Sequence, residues 1–129
     1  IDEKISFKKL IKLHRCVAVA DGFYEWKREE KSKTPYYFER EDKKNIYMAG
    51  IYENNEFCLI TENASENIKP IHHRQPVILN ESDVNRYLNL ELSGSNFLIE
   101  CKKTKLSFYE VSKEVNKPTN NSISLIQKL

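Results

Sequence analysis

Short apolar runs separated by polar turns dominate the pattern of hydrophobic and polar residues along this chain. Runs of strand length that are rich in β-branched and aromatic residues, and that end at charged or turn-forming residues, predict β-strands. Strands are accordingly predicted at 16–20, 23–26, 35–38, 46–52, 57–61, 77–79, 97–99 and 106–111. Because short polar turns join the strands up to Thr61, the first half of the chain predicts a largely antiparallel meander.

Two short helices are predicted to flank these strands. Residues 6–14 have an amphipathic pattern that begins at Ser6, a favourable N-cap residue, and residues 80–90 have a second one with Tyr87 and Leu88 facing inward. The polar segment 113–122 predicts a loop, and the apolar residues 124–126 predict a docked terminus. The predicted fold class is therefore α+β, mainly antiparallel β, with a partly closed, barrel-like sheet and flanking short helices.

Composition narrows the class of protein. The chain has 129 residues, of which 40% are hydrophobic and 31% charged, which predicts a single globular domain over residues 1–129. The net charge of +2 does not demand a nucleic-acid partner. The chain opens with Ile1 before a charged segment, which predicts no signal peptide and suggests a domain that lacks its N-terminal segment.

The cysteines indicate the cellular compartment of the protein. Cys16, Cys58 and Cys101 are odd in number and lie in or beside apolar runs, which predicts reduced, buried thiols in a cytoplasmic protein. Their spacing matches no metal site, and inert core cysteine is favoured over a nucleophile. No cofactor and no metal are expected.

The stretch 15–26, RCVAVADGFYEW, carries the first candidate chemistry. Asp21-Gly22 favours a sharp bend or a close backbone approach. Beyond it, strand alternation places Phe23 and Glu25 on one face, and Tyr24 and Trp26 on the other. A carboxylate on a face lined by aromatic rings loses hydration, which makes Glu25 a candidate general acid or base. A solvated glutamate on an edge strand is the equally open alternative.

A second candidate is His72-His73-Arg74, which lies between Pro70 and Pro76. Because each proline restricts the residue before it, the loop has limited freedom and suits an anion site or a proton-transfer site. Side chains of adjacent histidines on extended backbone are expected to point apart, which argues against a metal site. A positively charged surface loop is the alternative.

Aromatic residues supply a third candidate. Trp26, Tyr24, Tyr36 and Tyr37 offer stacking faces for unpaired bases, and Trp26 is favoured because Lys27 and Arg28 follow it. Aromatic residues at strand spacing more often belong to a core, so both interpretations stay open.

Five sequence blocks then occur in one order: ADGFYEW (20–26), TPYY (34–37), AGIYE (49–53), FCLIT (57–61) and IHHRQPVIL (71–79). Arg15-Cys16 precedes them, and Tyr109, 111–112 and 115–116 follow. In this order and spacing, the blocks resemble the SRAP family, the SOS-response-associated peptidase-like proteins. The resemblance spans nearly the whole chain.

The resemblance implies a compact, mainly β fold that binds single-stranded DNA and recognises abasic sites. In that chemistry, an N-terminal cysteine exposed by autocatalytic removal of the initiator methionine condenses with the sugar aldehyde to a thiazolidine DNA–protein crosslink. The resemblance also implies a role in DNA damage and a cytoplasmic, nucleoid-associated protein of bacterial type.

Carried over position by position, the resemblance makes Glu25 and His72 the catalytic residues. Arg74 matches an arginine near the DNA backbone, and Thr61 matches the threonine that ends the strand beside the site. The local patterns add three residues to the predicted DNA-binding set: Trp26, Gly22 and His73. We expect the Glu25 carboxylate and the His72 ring to line one cleft.

The sequence departs from the family pattern at its beginning. The family's opening Met-Cys-Gly-Arg and the asparagine of its NAR-type block do not occur in it, and Gln75 replaces the usual methionine. None of the three cysteines carries the free α-amine that a thiazolidine needs. The nucleophile is therefore expected on an upstream segment of the same domain. A non-catalytic single-strand-binding remnant and a structural or interaction domain are the alternatives.

Overall fold

The computed structural model describes residues 2–91 and 104–129, so the strand predicted at 97–99 and Cys101 lie outside the described residues. The described residues fall into two compact units. The first unit comprises Ile1–Ala20, Ile46–Glu62 and Pro76–Thr104, and the second comprises Asp21–Asn45, Asn63–Gln75 and Lys105–Leu129. In the part of the chain so described, no helix has the length and apolar character needed to cross a membrane.

Two α-helices, nine β-strands and two 3-10 helices make up these residues. The α-helices are α1 (Asp2–Leu13) and α2 (Glu81–Leu88). The strands are β1 (Arg15–Ala20), β2 (Phe23–Arg28), β3 (Lys33–Arg40), β4 (Ile46–Glu53), β5 (Glu56–Leu59), β6 (Thr61–Asn63), β7 (Arg74–Pro76), β8 (Ile78–Leu79) and β9 (Leu106–Glu110). The 3-10 helices are Lys113–Asn116 and Ile123–Ile126.

The predicted class, mainly antiparallel sheet with flanking short helices, is confirmed. The predicted partial closure is wrong for the described residues, because their strands form three open sheets. The predicted meander is also wrong at its first turn. Strand β1 pairs with β4, and β2 pairs with β3, so the bend at Asp21-Gly22 passes the chain from one sheet to another.

In the first unit, β4 lies between β1 and β5 and also pairs with β8. Apolar residues of these strands and of both helices form its core: Ile11, Ala49, Ile51, Ile60, Val77, Leu79 and Tyr87. The Tyr87 hydroxyl is buried and donates a hydrogen bond to the Gly50 carbonyl oxygen over 2.7 Å. The fully buried phenol is therefore satisfied within the core.

A buried arginine joins the two helices to β1. Arg15 Nε donates to the Ile11 carbonyl oxygen over 2.7 Å, and Nη1 donates to the Tyr87 carbonyl oxygen over 3.0 Å. Both carbonyl groups lie in the last turn of a helix, where a cation interacts favourably with the helix dipole. The guanidinium also lies 5.0 Å from the centroid of the Tyr87 ring. Burial lowers the pKa of Arg15 from its ordinary value.

In the second unit, β3 lies between β2 and β9, and each face of this sheet carries a row of aromatic rings. Cross-strand register aligns Phe23, Phe38 and Phe108 on one face, and adjacent ring centroids are 5.0 Å apart. It aligns three tyrosines on the other face, with centroids 5.4 and 5.9 Å apart: Tyr24, Tyr37 and Tyr109. Such cross-strand aromatic pairs stabilise a sheet and fix its register.

Proline is tolerated inside the central strand β3 for a local reason. Pro35 is the third residue of β3, not the first as predicted. Val111 N donates to its carbonyl oxygen over 3.0 Å, just past the end of β9. N–H and C=O of one strand residue point to the same side, so an N–H of residue 35 would point toward β9. The ladder of hydrogen bonds between β3 and β9 ends at this position, so the N–H that proline lacks is not needed there.

Two other element boundaries and the orientation of one side chain differ from prediction. Helix α1 begins at Asp2, so Ser6 lies inside the helix and does not cap it. The predicted loop 70–76 ends in a strand, β7, and Leu88 is 41% exposed rather than inward-facing. The apolar C-terminal segment is docked as predicted: Leu125 is buried, and Tyr109 Oη donates to the Ile126 carbonyl oxygen over 2.6 Å.

Burial of the central tyrosine predicts a pH dependence of stability. Desolvation raises the pKa of Tyr37 to about 12, above its ordinary value of 10.0. The fold favours neutral Tyr37, so its contribution is complete below pH 10 and is lost as the pH rises from about 10 to 12. We expect the free energy of unfolding to fall by about 1.4 kcal/mol per pH unit from this residue in that window, measured by urea unfolding.

The Y37F variant should flatten this decline, because phenylalanine has no proton to lose. The matched control is Y52F, since Tyr52 is 40% exposed. An unchanged pH profile in Y37F would show that the alkaline loss of stability comes from other groups.

Candidate active site

A cleft of about 590 Å³ lies in the second unit, along the edge strand of its described sheet. Strand β2, the first residue of β3, the loop before β7 and the segment around the first 3-10 helix supply its lining: Glu25, Trp26, Arg28, Lys33, His72, Val115, Asn116 and Pro118. Alternation places Glu25 and Trp26 on opposite faces of β2, as predicted. Side chains from both faces border one cleft because β2 pairs on one side only, with β3.

The predicted catalytic pair lies together in this cleft. His72 Nε2 is 3.8 Å from Glu25 Oε1, and the two side chains are 29% and 27% exposed. This distance is longer than a direct hydrogen bond. A small movement of either side chain toward the other, or one bridging water, would connect the two groups. The expectation that Glu25 and His72 line one cleft is confirmed.

The backbone of Arg74 offers Nδ1 of His72 both a hydrogen-bond donor and a hydrogen-bond acceptor. His72 Nδ1 is 3.1 Å from both the amide nitrogen and the carbonyl oxygen of Arg74. When Nδ1 accepts a hydrogen bond from the Arg74 amide, the proton of a neutral ring is on Nε2, toward Glu25. Donating to the carbonyl instead leaves the Nε2 lone pair toward the cleft. The same ring position therefore supports both a proton donor and a proton acceptor at Nε2.

The two neighbouring histidines do not point apart. The rings of His72 and His73 are stacked, with centroids 4.7 Å apart and planes 22° apart, so that prediction is wrong. The turn before them explains the geometry, since His72 N donates to the Ile68 carbonyl oxygen and the backbone is not extended there. His73 is exposed and adds an aromatic face beside His72.

Trp26 is fixed by a residue far away in sequence. Its Nε1 donates to Asn116 Oδ1 over 2.6 Å. Asn116 ends the 3-10 helix Lys113–Asn116, whose first turn is capped by the Ser112 hydroxyl, which accepts from Glu114 N over 3.2 Å. The indole is therefore oriented at the rim of the cleft rather than free to rotate.

Polar side chains brace β7 and the segment that follows β6, on either side of the loop that carries His72. Arg74 Nη1 donates to Asn63 Oδ1 over 2.8 Å, which links β7 to the last residue of β6. Gln75, where the family pattern has methionine, accepts from Ser65 N through Oε1 over 2.9 Å. The substituted glutamine thus satisfies a backbone amide of the loop that methionine would leave unpaired.

Gly22 lies where the backbone of β3 approaches closely, which is one of the two arrangements that its sequence context predicted. A Cβ added at this position would overlap the carbonyl oxygen of Phe38 and the ring of Tyr37. The absence of a side chain lets β2 begin directly against β3. Thr61, the first residue of β6, belongs to the other compact unit, and its part in the site stays a prediction.

The cysteines differ from prediction in one respect. Cys58 is exposed, which corrects the expectation of a buried thiol. Cys16 is partly buried, and desolvation raises the pKa of its thiol, which opposes formation of a thiolate. Neither thiol lines the cleft.

Sequence analysis missed several lining residues, above all Asn116, Arg28 and Lys33. Asn116 falls in a segment predicted as a loop, and only its distant contact with Trp26 reveals its position. The sequence carried two signals for them: strand alternation places Arg28 on the same face as Trp26, and Asn116 belongs to the last block of the family resemblance.

The sequence comparisons define the class of protein. The family model described as SOS response associated peptidase (SRAP) matches residues 1–118. The chain therefore belongs to the SRAP family, as predicted.

Particular relatives carry one functional name. The chain is 33% identical to the abasic site processing protein YoqW of Bacillus subtilis strain 168, over 98% of the chain and 63% of that protein. It is 30% identical to the abasic site processing protein HMCES of Gallus gallus, over 92% of the chain and 45% of that protein. The chain thus spans less than two thirds of the length of these relatives.

A solved structure supports the fold. An X-ray crystal structure of a protein from Bacteroides thetaiotaomicron matches with a TM-score of 0.84 and 28% sequence identity. The match covers 100% of this chain and 62% of that one. The arrangement of strands and helices described here is therefore that of a known, longer chain.

Gly22 provides a stability test of the site's framework. Alanine at this position forces β2 away from the Phe38 backbone, so we expect G22A to lose on the order of 1–3 kcal/mol of unfolding free energy. Chemical denaturation of the purified protein measures this loss.

The control is D21A, at the exposed neighbouring position of the same bend, which we expect to remain within about 0.5 kcal/mol of the parent. If G22A kept full stability, the packing role of Gly22 would be wrong.

Proposed function

We propose that the protein that contains this chain binds single-stranded DNA at abasic sites and forms a covalent crosslink there. The cleft that holds Glu25 beside His72 is the observation that carries this proposal, together with relatives named abasic site processing proteins. The nucleophile is an N-terminal cysteine on a segment upstream of Ile1, exposed by autocatalytic hydrolysis of the initiator methionine.

The reaction balances without a cofactor. The α-amine of the cysteine adds to the ring-opened sugar aldehyde, and the carbinolamine loses water to give an imine. The thiol then adds across the imine, its sulfur to carbon and its proton to nitrogen, and closes a thiazolidine ring. The sum is aldehyde plus cysteine to thiazolidine plus water, with no oxidation or reduction.

Glu25 and His72 supply the proton transfers that these steps need. Loss of the carbinolamine hydroxyl requires a proton donor, and attack by the amine requires a base to take its proton. His72 Nε2 serves either role, because Arg74 offers its ring both a hydrogen-bond donor and an acceptor at Nδ1. Glu25, only 27% exposed, exchanges a proton with His72 at short range.

DNA contacts follow from the same cleft. The Trp26 indole, held by Asn116, offers a stacking face for an unpaired base beside the lesion. Arg74 anchors a phosphate next to the abasic sugar, and the stacked His72 and His73 rings extend the aromatic surface. Gly22 and Thr61 stay in the predicted DNA-binding set, but neither lines this cleft. No step here calls for a metal ion.

The first test uses the full-length protein and a single-stranded oligonucleotide with one abasic site. We expect E25Q to slow crosslink formation roughly 100-fold, because the amide neither accepts nor donates the proton at the carbinolamine. Single-turnover kinetics on denaturing gels, with and without borohydride, measure the crosslink and the trapped imine. The melting profile of E25Q should stay close to that of the parent.

The control is E41Q, because Glu41 is an exposed carboxylate in the turn after β3. A crosslink that formed equally fast in E25Q would remove the acid/base role. DNA binding with no adduct in the parent protein would favour the non-catalytic remnant.

Arg74 is tested by binding rather than by chemistry. We expect R74Q to weaken binding of undamaged single strands and to reduce the slope of log K against log salt by roughly 0.7, the value for one lost phosphate contact. Fluorescence anisotropy across a salt series measures both. The cation control is K44Q, in the exposed turn before β4. An unchanged slope in R74Q would exclude the phosphate contact.

A further inference from the structure

The hairpin that joins β2 to β3 contains an unfavourable pairing of charges. Arg28 and Lys33 lie directly opposite each other in the cross-strand register, so their side chains share one face. Both are exposed, and neither forms an ion pair with any residue within 8–91 or 104–129. Like charges directly opposite each other destabilise a strand pair. An anion bound between the two cations would offset this repulsion.

Further cations border the same surface. A groove of about 620 Å³ runs beside the hairpin, lined by Arg28, Glu29, Glu30, Lys31, Ser32, Lys33, Lys113 and Asn116. Glu29 and Glu30 are exposed at the hairpin tip, and within the described parts of the chain they are not in ion-pair contact with these cations. Four cations therefore outnumber two carboxylates around the groove.

The groove continues into the cleft that holds Glu25 and His72. Three residues line both: Arg28, Lys33 and Asn116. Asn116 also holds the Trp26 indole through a 2.6 Å hydrogen bond. A DNA strand with one nucleotide in the cleft would therefore run past Arg28 and Lys33 where it extends out of the cleft.

The hairpin tip is also well defined. Glu29 N donates to the Ser32 carbonyl oxygen over 2.9 Å, which closes the four-residue connection between the strands. The two cations are thus held on one side of a closed turn rather than on a loose loop.

We propose that Arg28, Lys33 and Lys113 form a clamp for a backbone phosphate of the DNA strand, next to the nucleotide that occupies the cleft. The clamp rests on the proposed function and assigns it a second anchoring point, on one side of the lesion. Arg28 offers a planar fork of donors to the phosphate, and the two lysines add point charges. The phosphate also relieves the repulsion between Arg28 and Lys33.

The binding experiment uses fluorescein-labelled single strands without a lesion, titrated across a salt series with the full-length protein. We expect R28Q, K33Q and K113Q each to lower the slope of log K against log salt by roughly 0.7, the single-strand value for one phosphate contact. The control K44Q, at an exposed position of the connection between β3 and β4, should keep the parent slope.

The affinity for DNA strands that extend from only one side of the lesion gives a second measurement. Because the clamp lies on one side of the cleft, strands extended only on the 5′ side or only on the 3′ side of an abasic site should differ in affinity. The difference should shrink in the K33Q variant. Equal affinities in the parent protein would overturn the one-sided clamp.

A charge reversal separates binding from stability. K33E places a carboxylate opposite Arg28, so we expect the melting temperature to rise while DNA binding weakens. A fall in both would show that Lys33 acts through the fold, and would overturn the clamp.

The two proposals fail differently. If the parent protein binds no single strand, the proposed function itself is wrong. If the parent binds and the three glutamine variants retain its salt slope, only the clamp is wrong.

Discussion

The candidate site depends on the pairing of β2 with β3. Aromatic rings on both faces of that sheet fix the register, and Gly22 lets β2 begin directly against β3. Among the described residues β2 pairs only with β3, so its other edge borders the cleft, and Glu25 and Trp26 reach that cleft from opposite faces. A shift of one residue in this register would exchange the faces and remove the carboxylate from His72.

The chemistry of the cleft is assembled from segments far apart in sequence. His72 receives its orientation from the backbone of Arg74, and Trp26 receives its own from Asn116. These contacts hold the His72 ring and the Trp26 indole in defined orientations, as the proposed proton-transfer and stacking roles require. Arg28 and Lys33 lie opposite each other beside the groove that shares lining residues with this cleft, which is the basis of the proposed phosphate clamp. A locally unfavourable pairing of this kind is expected at functional sites.

Local sequence predicted much of this arrangement. Alternation assigned Phe23 and Glu25 to one face of β2, and the proline-bracketed loop marked His72 as a site residue. Family resemblance then linked the two, and the structure confirmed their proximity. The errors fell where distant contacts decide: Ser6 lies inside a helix that begins earlier, and the stacked ring of His73 follows from a hydrogen-bonded turn. A local sequence pattern does not show which residue forms the hydrogen bond with a given backbone N–H or C=O group.

The sequence by itself determined the strands, the two helices, the family and the identity of the carboxylate and the imidazole. Those features depend on side-chain periodicity and on ordered motifs, which neighbouring residues carry. Only the tertiary structure decided that β1 and β2 belong to different sheets, that Asn116 holds Trp26, and that the hairpin cations border the cleft. These features come from strand pairing and long-range packing, because the free energy of such contacts depends on residues dozens of positions away.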